Sequence, residues 1–114
     1  MSKRDELIET YTKEMTGKLG VSKVDNDLLT AVVKGLGPSI YLPDASKVST
    51  SDEAEMNRVK ENFCMKKLGV KDAGKIDAAI ADVTEQFGSS NKNKYRAIFY
   101  YLLTQKLNKE SVYK

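Results

Sequence analysis

Residues 97–103 read AIFYYLL, an unbroken apolar and aromatic run in a chain in which 31% of the residues are charged. Wound as a helix, such a run is apolar around most of its circumference, so it has no face to show to water. Left uncovered it would be an aggregation hazard. It is far shorter than the roughly 20 residues that cross a bilayer, so a membrane cannot cover it either. The rest of the chain must therefore wrap it, which predicts a single domain with this segment as the central helix.

The segments available for wrapping are helical. Leu7, Ile8, Tyr11, Met15 and Leu19 recur at steps of three or four, which predicts a helix over about residues 3–18 that stops at Gly20. Asp25 can cap a second, with Leu28, Leu29, Val32, Val33 and Leu36 as its stripe and Gly37–Pro38 as its end. Thr50 and Glu53 have capping-box spacing and open a third, with Met56, Val59, Phe63, Cys64 and Leu68 on one face before Gly69. Asp72 caps a fourth bearing Ile76, Ala79, Ile80, Val83 and Phe87, and Gly88 ends it. Ser89, Ser90 and Asn91 offer caps for the fifth, which runs to about Asn108. No segment shows the alternation of a strand. The expectation is an all-α, single compact domain over residues 1–114, of about five helices around the C-terminal one.

Between the second and third helices, residues 37–51 form a connection long for a compact domain. Ile40, Tyr41 and Leu42 are expected to pin it against the core, with Pro43 and Asp44 turning the chain, and they make it a candidate interaction loop. KLGV occurs at Lys18 and again at Lys67, each between two helices. A duplicated helical hairpin and the ordinary Leu-Gly helix ending both account for this.

Chemistry narrows the function classes. The chain has no histidine and a single cysteine, Cys64, which removes the commonest general base, the usual zinc ligands and any internal disulfide. It is expected not to be an enzyme and to need no cofactor or metal. Cys64 sits on an apolar face, where a thiol is inert. Asp25, Asn26 and Asp27 lack the further ligands of a calcium loop, and GLGPS from Gly35 lacks the lysine of a phosphate loop. The same acids at the start of the second helix argue against a DNA-reading helix-turn-helix, which needs cations there. The opening MSKRDELIETY has no apolar stretch of a secretory signal, so the cytoplasm is the expected compartment.

Charge is unevenly placed. Residues 1–88 carry 13 Lys/Arg against 15 Asp/Glu, and residues 89–114 carry 6 against 1. The positive excess gathers in SSNKNKYR, where Ser89, Ser90, Asn91, Lys92, Lys94, Tyr95 and Arg96 combine hydroxyls, amides and cations at an expected helix start. A helix N-terminus repels cations and attracts anions, so a bound phosphate or nucleic acid would relieve the clash, with Tyr95 stacking a base. The other reading is that the lysines are solvated and Arg96 pairs with Asp82, Glu85 or Glu61 of another helix, while Tyr100 holds it through a cation–π contact. The second reading is the more economical.

Two stretches, LLTAVVKGLGPSIYLPDASKVSTSDEAEMNRVKENF from Leu28 and NKNKYRAIFYYLLTQKL from Asn91, carry a resemblance. The chain resembles a family of small bacterial proteins whose domain is of unknown function. The resemblance implies a compact helical domain and supplies no catalytic residue, cofactor or substrate. From the residues, the leading expectation is a small cytoplasmic protein-interaction module, binding an unknown protein partner or itself through its helix faces and the Ile40–Tyr41–Leu42 loop. Phosphate or nucleic-acid binding through the basic cluster is the alternative, and no membrane association is expected.

Overall fold

The structure, a computed structural model, describes residues 3–42, 45–88 and 94–113. Helices α1 (Lys3–Gly17) and α2 (Asn26–Leu36) come first, and α2 passes directly into a 3-10 turn, Gly37–Tyr41. Helix α3 (Glu53–Arg58) continues as a π-helix, Val59–Lys67. Helices α4 (Ala73–Phe87) and α5 (Arg96–Lys106) follow, and a second 3-10 turn, Glu110–Tyr113, closes the order. Among the described residues there is no strand, and extended pairing is confined to an antiparallel bridge between Lys47 and Tyr95. No described helix is long and apolar enough to cross a membrane.

Helix α5 is the hub that its apolar run requires. Ala97, Ile98, Phe99, Tyr101, Leu102 and Leu103 are all buried, and α5 packs on α2, α4 and α1. Each fully buried Ile, Phe or Leu side chain contributes about 1.5–3 kcal/mol. The one polar member, Thr104, is buried without penalty because its hydroxyl donates to the Tyr100 carbonyl at 2.8 Å. The radius of gyration, 13.1 Å, is that of a close-packed chain, for which about 13 Å is expected near 100 residues.

The caps read from Asp25 and Asp72 are present, each carboxylate accepting an N–H from the first turn of its helix. Asp25 also donates its own N–H to the Tyr101 hydroxyl at 2.8 Å, which fixes the start of α2 on α5. Gly37 and Gly88 end their helices at φ 63° and 87°, angles that a residue with a Cβ rarely adopts.

Three local expectations are corrected. The cap of α3 is Asp52, whose side chain accepts the N–H groups of Ala54 and Glu55, in place of a Thr50–Glu53 box. A carboxylate adjoining the helix simply competes better for these donors than a hydroxyl two residues earlier. The third helix does keep Val59, Phe63, Cys64 and Leu68 inside, but it does so by widening to i→i+5 bonding, as in the 2.9 Å bond from the Leu68 N–H to the Phe63 carbonyl. Finally, α5 starts at Arg96, after Tyr95 in an extended conformation. The Lys94–Arg96 backbone is held in the bridge to the loop instead, Val48 donating to Lys94 at 2.8 Å and Arg96 to Ser46 at 2.7 Å.

The 37–51 connection is pinned differently from the expectation. Ile40 is 4% exposed and Val48 is buried, whereas Tyr41 and Leu42 stand 46% and 55% exposed. A 3-10 turn sets successive side chains about 120° apart, so Tyr41 leaves the face that Ile40 buries, and Leu42 follows the turn in an extended conformation. The expected Pro43–Asp44 turn lies outside the described residues.

Candidate functional site

Of the basic cluster, Ser89, Ser90, Asn91 and Lys92 lie outside the described residues. The other three, Lys94, Tyr95 and Arg96, do not form an open cradle. Lys94 is only 7% exposed. The Tyr95 ring, half-buried, is tilted against Tyr11 at 5.2 Å and carries the Lys47 ammonium 5.6 Å above it. That face is already occupied. Burial, reinforced by the nearby Tyr95 and Tyr41 phenols, pushes the Tyr11 hydroxyl up to about 12.

Arg96 is committed inside the fold. Its Nη2 donates to Glu55 Oε1 at 2.6 Å, its Nε to the Ala45 carbonyl at 2.7 Å and its Nη1 to the Tyr100 hydroxyl at 3.0 Å. The guanidinium also lies 5.7 Å from the Tyr100 ring centroid. Glu55 receives Arg58 as well, at 2.9 Å. Burial alone would push the Glu55 carboxyl up, and the hydrogen bonds from Arg58 and Arg96 overcome it, so the group sits below its ordinary value. The cation at the head of α5 is thus answered by a carboxylate of the same chain.

An acidic partner for Arg96 was legible from the sequence, but its identity was not. Asp82, Glu85 and Glu61 were the candidates; the partner is Glu55, because the loop folds back and lays the first turn of α3 beside the first turn of α5. Sequence spacing carries no signal for such a fold-back. The polar clasp on Ala45, Ser46 and Lys47 was missed for the same reason.

The remaining tail lysines contribute to a different surface. Lys106 and Lys109 line an open groove of about 780 Å³ with Lys71 and Lys75, and Asp72 and Asp82 line it too. The mixture of signs leaves no focused field. Among the described residues no group of three or more Cys, Asp or Glu side chains is placed to hold a metal ion. Cys64 is buried, and burial pushes its thiol up to about 12, well away from thiolate chemistry at neutral pH.

What stands out instead is the loop rim. Among the described residues the large apolar side chains left exposed are Tyr41, Leu42 and Val112, so two of the three adjoin in sequence. They sit at the end of a turn whose Ile40 is buried and whose continuation is hydrogen-bonded to the chain entering α5.

Compared with known families, residues 10–111 match the model of a family described as a protein of unknown function (DUF2853). No curated protein matches the chain.

Proposed function

We propose, for a chain that belongs to the DUF2853 family of unknown function, that it is a cytoplasmic helical protein-interaction module whose contact surface is the Tyr41–Leu42 rim. The observation that carries this reading is the pairing of two exposed large apolar neighbours with a tightly held backbone beneath them. Apolar and aromatic side chains on a fixed turn can enter a partner's surface with little ordering penalty. The phosphate or nucleic-acid reading has less support, because Arg96 is bonded to Glu55 and Lys94 is buried.

Site-specific photo-crosslinking from position 42 inside cells tests it, with exposed Ala81 on α4 as the control position. A discrete adduct from position 42 that is absent from position 81, and is lost on Tyr41→Ser, supports the reading; mass spectrometry then distinguishes a second copy of the chain from another protein. Identical labelling from both positions, or none from position 42, overturns it.

A further inference from the structure

A second feature lies away from the loop rim. Between α2 and the π-helix is a slot of about 240 Å³, below the range of drug-sized pockets and suited to a single ring with one substituent. Val32 and Leu36 make its apolar wall on the α2 side. Phe63 and Tyr100, stacked on each other at 4.0 Å and 18°, supply the aromatic part of its lining. Tyr113, on the last 3-10 turn, adds a further ring to the lining. Its ring lies beside Gly35, 3.7 Å from where a Cβ at that position would stand, an ordinary van der Waals distance.

The winding of the π-helix is what gives the slot its polar groups. In an α-helix Asn62 and Lys67 would point about 140° apart. With i→i+5 bonding they are roughly 50° apart, and Asn62, Phe63 and Lys67 all line the slot. Asn62 brings an amide with both donor and acceptor, and Lys67 brings a cation. No Asp or Glu lines the slot among the described residues, so its local charge is positive, unlike the mixed groove beside α4. The Lys67 ammonium rests 5.1 Å over the Tyr113 ring and forms no ion pair among the described residues. A ligand's anionic group could take that ammonium without breaking a salt bridge.

We propose that this slot binds a small aromatic anion of the aryl carboxylate class, the ring packing among Val32, Leu36 and the Phe63–Tyr100 stack and the carboxylate meeting Lys67 and Asn62. The class follows from the size and the charge: a small apolar and aromatic lining with a single cation and a neutral amide.

The test is a titration of the full chain, followed by amide NMR shifts, with benzoate and its neutral counterpart benzamide. Saturable shifts centred on Gly35, Asn62, Lys67 and Tyr113 are expected, with the carboxylate binding about ten-fold more tightly, the factor that one charge-assisted hydrogen bond supplies. Lys67→Met should remove that preference and leave the neutral probe unchanged. The proposal is overturned if neither probe gives saturable shifts, if the shifts gather at Lys71, Lys75, Lys106 and Lys109, or if the wild-type chain binds both probes equally. The last comparison needs no variant, so it decides the matter even if a substitution disturbs the fold.

Discussion

Replacing Arg96 with alanine is the most informative single perturbation of this fold. The change deletes four hydrogen bonds, to Glu55, Ala45, Tyr100 and, at 3.5 Å, Lys47, together with the cation–π contact on Tyr100. It also leaves Glu55 with only Arg58 for company, in a site where the Arg96 and Glu55 side chains are 17% and 14% exposed. A hydrogen bond involving a charged group is worth about 1.5–3 kcal/mol, and breaking a fully buried pair costs about 3–5 kcal/mol. Residual solvent access places this pair below that upper range, so a loss of about 2–3 kcal/mol is expected. With a urea m-value of about 1–3 kcal/mol/M, the unfolding midpoint should fall by about 1–2 M. A double-mutant cycle with Glu55→Gln should return a coupling of about 1–2 kcal/mol. The pH dependence supplies an independent sign. Because the folded Glu55 carboxyl lies below its unfolded value, its contribution is present above the unfolded pKa and is lost as pH falls through the folded one. Wild-type stability should therefore decline across the acid range more steeply than that of Glu55→Gln. A loss below about 0.5 kcal/mol for Arg96→Ala, the scale of an ordinary surface change, together with zero coupling, would refute the reasoning.

Two further outcomes are expected. Cys64 should resist thiol reagents in the native protein and react at once in denaturant; because its folded pKa is raised to about 12, stability is intact below the unfolded thiol value and declines as pH climbs from there toward 12, and rapid native labelling at neutral pH would contradict its burial. At the start of α3, Asp52→Ala should cost about 1 kcal/mol by chemical denaturation while Thr50→Ala costs a few tenths, and the reverse order would restore the capping box.

The features legible in the sequence were those with a short-range cause. The α5 hub followed from a run with no polar face, the starts of α2 and α4 from Asp25 and Asp72, and their ends from Gly37 and Gly88. The buried, inert Cys64 followed from its neighbours on one face. What escaped depended on chain segments distant in sequence. Tyr95 and Arg96 were read as interior to a helix because nothing nearby reveals that residues 46–48 would pair with them. The π-helix was half visible: Val59, Phe63, Cys64 and Leu68 are spaced by four and five, closer to the roughly 4.4 residues per turn of i→i+5 bonding than to 3.6, yet the same positions also fit a broad α-helical stripe. Where two periods fit, packing decides, and here Phe63 stacks on Tyr100.

The clasp on the loop also explains why arginine, specifically, stands at the head of α5. Of Ile40, Tyr41 and Leu42 only Ile40 reaches the core, so the stretch after them needs polar fastening. Arg96 must meet Ala45, Lys47, Tyr100 and Glu55 at once, four acceptors on different groups. A planar guanidinium with five donors can do so, whereas a lysine ammonium, a compact charge on a flexible stem, would satisfy this set poorly. The unfavourable position against the helix dipole is then offset locally by the Glu55 carboxylate, and the Arg96 N–H, which no α-helix can satisfy internally at that position, goes to Ser46. The result bears directly on the Tyr41–Leu42 rim. Ser46 bonds back to the Leu42 carbonyl and residues 46–48 are fastened to the chain entering α5 before any partner arrives, which lowers the conformational entropy lost on binding at the exposed pair.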